Sequence, residues 1–482
     1  MRKYKNICEL VVFVILLTLC FNSFYNAVRV KDRANGGGLE SYYDLKVPVD
    51  VAVFGSSHAG CTVNNAIMWR DYGISSYTLW SASQAVDGTY LFMKEAFKTH
   101  KPKVALVETL NVVLPPDNER SIYLSALAVK YSPDYIRFSL RKAKEFGYSR
   151  SYVEELLARF PFVHSRYKEL EKADFFPERS YNRGYQGSDE TNPSEPPQLT
   201  TERYLISTES MYYIEKMVEL CRENDVELVF FHAPYVMTDE NSYQQMLQND
   251  LAEYCKQENV PFLDYYRDHE QCNIDFSCDL REGDHLNDSG AAKVTNALAA
   301  YLEENYDMPD RRSESGFGDW DTHARFVDDR QLGYELKRHE DINDYLTVLG
   351  ENKDKYHIVV SLEGNYRAIE GYHEPLMLEC LGISTETSDE AVYVVKNSEI
   401  TWSSGDSDNY QYSEELGPCA DLNIYRGEGD AAPHILVNGI DVSREINGIS
   451  ISVYDKECAY LIDDVYADVF QGSNVIRVQH DD

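Results

Sequence analysis

Five short β-rich runs, at residues 51–54, 76–80, 104–107, 227–231 and 261–264, alternate with segments of helical period, and this alternation narrows the fold more than any other feature. The first run, Val51, Ala52, Val53, Phe54, contains no polar residue, so a strand made of it must have both faces covered. Such strands separated by helices form a parallel sheet between two helical layers. Helices are expected near 59–71, 86–99, 209–224, 239–258 and 289–305. The predicted fold class is therefore α/β, a three-layer α/β/α sandwich around a doubly wound parallel sheet. In such sheets ligands bind beyond the carboxyl ends of the strands.

The chemistry-bearing residues stand at that edge. Gly55, Ser56, Ser57 and His58 follow the first run, and Glu282, Gly283, Asp284 and His285 follow the last. A serine at a strand end, with an acid and a histidine supplied together from elsewhere, has the make-up of a nucleophilic triad. Ser57, two residues after Gly55, is placed at the apex of a strand-to-helix turn, where its own N–H also points at a reacting carbonyl. Glu282 lies three residues before His285 and would share a side with it in a helical turn, which favours it as orienting acid. Asp284, the second candidate, is adjacent and would ordinarily point away. The structural alternative is that Ser56 or Ser57 only caps a helix, and Asn287 or Asp288 the next one.

Length and charge bound the rest. A chain of 482 residues is long enough for two or three cores. Its net charge of -35 repels polyanions, which argues against nucleic acid as a partner. Arg2, Lys3 and Lys5 precede an apolar run from Leu10 to Phe21, weaker as far as Val28, which reads as an uncleaved membrane anchor with the basic end cytoplasmic. A secretory signal cut near Ala27 is the alternative, and either one exports the remainder. The ten cysteines form no C-x-x-C pair and no cluster with histidine at metal spacing, so no metal site or cofactor is expected. Cys272 and Cys278 are the nearest soluble pair and are either bridged or reduced.

The expected order is an anchor (1–28), a glycine-containing linker (29–44), a catalytic domain (45–307), a polar linker (308–317) and an α+β or mostly β accessory module (318–482). The stretch at about 110–208 is too long for a plain loop and reads as an insertion over the active edge, helical around 133–160. Arg166 within it is a candidate for binding a substrate phosphate, carboxylate or sugar.

Gly55, Ser56, Ser57, His58 together with Asp284, His285, Leu286, Asn287, Asp288, Ser289, Gly290, Ala291 resemble the SGNH/GDSL hydrolase superfamily. The match is to its membrane-anchored branch, which includes the D-alanyl transfer protein of teichoic acid modification and the alginate-type O-acetyltransferases. The resemblance implies Ser57 as nucleophile, His285 as base and Glu282 as acid, where the superfamily has aspartate. It also implies an acyl donor delivered by a multi-pass membrane O-acyltransferase and a cell-surface polysaccharide as acceptor. The superfamily's glycine and asparagine oxyanion donors have no clean counterpart. Gln84, or a backbone N–H near Ser83, is the candidate substitute, with His232 after the fourth run. The α/β-hydrolase pattern fits less well, since Ala59 stands where it needs glycine. Residues 342–349, 357–361 and 447–456 resemble the interleukin-like domain, which implies binding. The expectation is thus an extracytoplasmic serine acyltransferase or esterase; the alternative is a catalytically silent surface protein that binds glycan or protein.

Overall fold

The computed structural model describes residues 39–116, 119–145, 183–236, 241–282, 284–373, 376–384, 390–405, 407–417, 420–430, 432–456 and 461–478, with parts of 12–28 and 156–170. The chain divides into two compact units, Met1–Ala324 and Arg325–Asp482.

All five runs are strands of one parallel sheet in the first unit: β1 (Val51–Gly55), β2 (Ser76–Trp80), β3 (Val104–Glu108), β4 (Glu227–His232) and β5 (Phe262–Asp264), in the order β2-β1-β3-β4-β5. Alternate residues serve opposite faces, as a pleat requires. Val51 and Val53 belong to the core that includes Ala291, Val294 and Leu298. The interleaved Ala52 and Phe54 are fully buried too. Its described helices include α1 (Leu39–Asp44), α2 (Ser57–Thr62), α3 (Asn65–Tyr72), α4 (Val86–Thr99), α5 (Glu119–Ala128), α6 (Pro133–Glu145), α7 (Thr208–Glu223), α8 (Asn241–Glu258) and α9 (Asp288–Asn305). α9 packs on α2 and α3, and α7 on α4, giving the expected three layers.

Local chemistry explains two departures. The single helix expected at 59–71 is split, because Asn64 takes extended geometry and caps α3 through its side chain, which accepts from the Ala66 N–H at 3.1 Å. The polar stretch 308–317 is not a loose linker. Arg311 makes a bidentate pair with the buried Asp50 at 2.9 Å for each bond, and Phe317 stacks on Trp69 with centroids 5.5 Å apart. The division falls beyond it, within helix α10 (Gly318–Lys337), whose Trp320 is buried in the first unit. Within the insertion, helix α6 ends at Glu145, and residues 146–155 of the expected helix lie outside the described residues.

The second unit is antiparallel. Its six-stranded sheet runs β10-β9-β8-β15-β16-β17, built from β8 (Tyr356–Leu362), β9 (Ala391–Lys396), β10 (Glu399–Ser403), β15 (Gly448–Asp455), β16 (Leu461–Asp468) and β17 (Ile476–Arg477). A four-stranded sheet joins β11 (Tyr410–Gly417), β12 (Ala420–Arg426), β13 (His434–Val437) and β14 (Ile440–Asp441). Ile358, Val360 and Leu362 of β8 pack with helix α11 (Ile342–Glu351), while Val359 between them packs with Leu422 and Ile424 of the second sheet.

Cys272 and Cys278, the nearest soluble pair in sequence, are not bridged to each other. Described residues between 12 and 28 are helical, with Phe13, Leu16, Leu17 and Leu19 about half exposed. Among the described residues no helix is long and apolar enough to cross a membrane.

Candidate active site

The strand order reverses between β1 and β3, so the crevice of this sheet opens beyond their carboxyl ends. Ser57 stands there as the first residue of α2. Gly55 precedes the turn because a Cβ at that position would lie 3.0 Å from the Cβ atoms of both Ala59 and Glu108. Ser56 is the cap of α2, its Oγ accepting from the His58 N–H at 3.4 Å, which leaves Ser57 Oγ free for chemistry. Capping and nucleophile presentation therefore coexist in neighbouring serines. The Ser57 N–H has no partner among the described residues.

The histidine arrives on a short hairpin. β6 (Leu280–Arg281) pairs with β7 (His285–Leu286), matching Arg281 with His285. Asn287 then caps α9, its side chain accepting from Gly290 N–H at 3.1 Å and donating to the Glu190 and Cys278 carbonyls at 3.0 and 2.7 Å. Gly290 is required at its place, since a Cβ there would lie 2.4 Å from the Asp279 carbonyl oxygen. These contacts fix the hairpin and with it the imidazole.

His285 Nε2 lies 2.8 Å from Ser57 Oγ, and Nδ1 lies 2.8 Å from Asp284 Oδ1. A carboxylate can only accept, so Nδ1 carries the proton and Nε2 accepts from the serine hydroxyl. The hydrogen bond from His285, aided by its charge, holds the Asp284 carboxyl below its ordinary value. The expected preference for Glu282 is corrected here. Its Oε2 is 4.0 Å from Nδ1, and its side chain is 63% exposed against 38% for Asp284. The helical turn that would have aligned Glu282 with His285 does not form. Glu282 sits at φ +55° in the hairpin, whose tight reversal brings the adjacent Asp284 back to the ring. Gly283 lies outside the described residues.

His58 was named in the sequence only as part of the Gly-Ser-Ser-His run. Its ring stacks on that of His285 at 4.6 Å and 30°, and meets Tyr235 edge-on at 5.7 Å. Burial, followed by the neighbouring His285, pushes the His58 imidazole well below its ordinary value, so it stays neutral. His58, Asp284 and His285 offer donor atoms within 4.8 Å of one another. Both His285 nitrogens are already engaged and the two rings meet face to face, so a metal would bind only at the triad's expense.

The remaining candidates fall elsewhere. Gln84 is fully buried, its amide oxygen accepting from Ser81 Oγ at 3.0 Å and its nitrogen donating to Thr89 Oγ1 at 3.2 Å, so its side chain is held inside the unit and not presented to substrate. His232 is fully buried, paired through Nδ1 with Asp264 at 3.1 Å and stacked on Tyr266 at 4.9 Å, which removes it from substrate. Arg166 donates to the Val28 carbonyl at 3.0 Å, an attachment to the N-terminal helix. Ser83 does lie at the right edge, after β2, at φ +52° and with no partner for its N–H among the described residues. Asn111 was overlooked. It occupies the turn after β3, on the other side of the crevice from β2, half-buried and with no partner for its amide among the described residues. Only the strand order, which puts β1 between β2 and β3, could have drawn attention to it.

No family model and no curated protein matches this chain. Among solved structures it is similar to a proposed acylhydrolase from Bacteroides fragilis NCTC 9343, with 11% identity over 55% of this chain and 94% of that one and a TM-score of 0.30. It is also similar to a GDSL-like lipase from Bacteroides thetaiotaomicron VPI-5482, with 12% identity over 55% of this chain and 96% of that one and a TM-score of 0.30.

Proposed function

We propose that this protein is a membrane-anchored, extracytoplasmic serine acyltransferase or esterase acting on O-acyl groups, acetyl above all, of a cell-surface polysaccharide. The observation that carries the chemistry is the continuous hydrogen-bonded chain Ser57–His285–Asp284 at the carboxyl edge of a parallel sheet. The basic residues and apolar run at the N-terminus support surface anchoring, and the charge of -35 favours a neutral glycan over a polyanionic one.

In this mechanism Ser57 Oγ gives its proton to His285 Nε2 and attacks the acyl carbonyl, while Asp284 stabilises the imidazolium. The Ser57 N–H, the Ser83 N–H and the Asn111 amide are the donors proposed for the oxyanion. Collapse of the tetrahedral intermediate returns the proton from Nε2 to the departing oxygen and leaves Ser57 acylated. A sugar hydroxyl or water then gives its proton to Nε2 and attacks the acyl carbon; collapse of this second intermediate breaks the bond to Ser57 Oγ, which takes the proton back from Nε2, and the acylated sugar or the free acid leaves. His58, neutral and stacked, holds the His285 ring in the plane that both hydrogen bonds need. A multi-pass membrane O-acyltransferase is the proposed source of acyl groups, since cytosolic thioesters do not reach an exported site.

The alternative, a silent glycan- or protein-binding protein, draws on one observation: Gln84 and His232, the side-chain donors expected at the site, are committed elsewhere. A fluorophosphonate probe separates the two. The enzyme is labelled and Ser57→Ala is not; a wild-type protein that stays unlabelled while folded would support the silent reading.

A further inference from the structure

Helix α6 presents two faces of different character. Its inner face is fixed: Phe138 and Ser139 are buried, and Lys142, fully buried, pairs with Asp87 and donates to the Pro116 carbonyl at 3.1 Å. Its outer face carries Ile136 and Leu140, 41% and 50% exposed and one helical turn apart, with exposed Arg137 and Lys144 beside them. Tyr131, 55% exposed, stands just before the helix. A soluble surface helix ordinarily turns such residues inward. An outer stripe of large apolar side chains flanked by cations is the pattern of a helix lying in a lipid interface.

Two further observations say what covers it. Against a net charge of -35, the exposed Arg137, Lys144 and Lys130 on and just before α6, the first sharing the Asp134 carboxylate at 3.2 Å, are attracted to an anionic surface while the rest of the molecule is repelled, which sets an orientation. The insertion is also tied to the N-terminal part of the chain at two places. Lys130 Nζ lies 4.2 Å above the Tyr43 ring, and Arg166, followed by exposed Tyr167, holds the Val28 carbonyl at 3.0 Å. Arg166, at the last described residue of an apolar helix, and its exposed neighbour Tyr167 are residue types that occupy a membrane–water interface.

We infer that the outer face of α6 lies on the surface of an anionic phospholipid bilayer, as a second contact beside the N-terminal helix. This rests on the membrane location in the proposed function and adds a surface to it. Two contacts would fix the height and tilt of the catalytic unit above the bilayer, which one flexible tether would not.

The test uses the full chain with vesicles of phosphatidylcholine alone, or containing about one third phosphatidylglycerol, each with brominated acyl chains that quench tryptophan on contact. Leu140→Trp reports α6, and Leu205→Trp, at an apolar position 72% exposed elsewhere in the unit, is the control. With phosphatidylglycerol, the fluorescence gained in Leu140→Trp should be roughly halved and that gained in Leu205→Trp nearly unchanged, and adding Arg137→Glu with Lys144→Glu to the first variant should restore most of the loss. Vesicle-bound protein in which Leu140→Trp is quenched no more than Leu205→Trp would overturn the α6 surface and leave the anchor standing. Protein that sediments with neither vesicle would overturn both. Quenching indifferent to phosphatidylglycerol and to charge reversal would contradict the requirement for an anionic surface.

Discussion

Each unit buries a glutamate at the end of a strand, and burial pushes both carboxyls up to about 7. Glu108 closes β3 in the first unit and accepts from the Leu110 N–H at 3.1 and 3.2 Å; Glu363 follows β8 in the second and accepts from Ser361 Oγ at 2.9 Å. Their surroundings separate them. The backbone at Glu108 abuts Gly55 at the foot of the nucleophile turn, where strands β1 and β3 part. Glu363 has Ser361, Glu390 and Arg426 as neighbours in an antiparallel unit with no serine–histidine pair among the described residues. A shifted carboxyl therefore reports desolvation, not chemistry. What distinguishes the first unit is that segments far apart in the chain converge on one hydroxyl, which a doubly wound sheet does at its switch point.

The strongest way to break that contrast is at the acid. Asp284→Asn should lower kcat/KM on p-nitrophenyl acetate by about 10²–10⁴, and Glu282→Gln by no more than roughly twofold. Reversed magnitudes would return the orienting role to Glu282 and remove the hairpin argument.

A smaller effect is expected at His58. Truncation in His58→Ala frees the His285 ring and should cost about tenfold in kcat with KM little changed, whereas the flat, neutral ring of His58→Phe keeps most of the rate. Equal losses in the two variants would mean that a ring nitrogen, not the stack, matters.

A third effect lies in stability, away from the catalytic rate, and it should be shared by the two units. A carboxyl raised above its ordinary value binds its proton more tightly when folded than when unfolded. Its contribution therefore falls as pH rises from about 4.5 to about 7, by at most about 3 kcal/mol for Glu108. Denaturant melts at pH 5 and pH 8 should show a shallower pH dependence for Glu108→Gln in the first unit's transition and for Glu363→Gln in the second's. Only Glu108→Gln should also disturb turnover. An unchanged slope in both would show that these carboxyls are hydrated in solution.

The parallel sheet was legible because β1, β3 and β4 are apolar over most of their length, although β2 buries Ser76 and Thr78 and β5 is only partly buried, and β1 to β5 begin and end within a residue or two of the runs that signalled them. Ser57 and His285 were legible for a related reason, since strand ends locate an active edge before any tertiary contact is known. The acid was misassigned because an i, i+3 rule for helices was applied to a segment that forms a hairpin, a distinction that depends on Glu282 adopting a left-handed turn. Gln84 looked free because its partner Thr89 comes from the helix it precedes. Strands β10, β11 and β12 give little signal in the sequence, because Glu, Thr, Ser and Asn interrupt their apolar pattern. Lateral strand order, which puts Asn111 beside the crevice, is not written in any local window.

The central claim is that Ser57 is acylated through His285. Intact-mass and peptide mass spectrometry of the full chain, quenched in acid within the first turnovers of p-nitrophenyl acetate, should show one acetyl group, carried on the peptide containing Ser57. It should be absent in Ser57→Ala and fail to accumulate at the same rate in His285→Ala. Turnover that persists in folded Ser57→Ala, or an acetyl group on any other residue, would contradict the account.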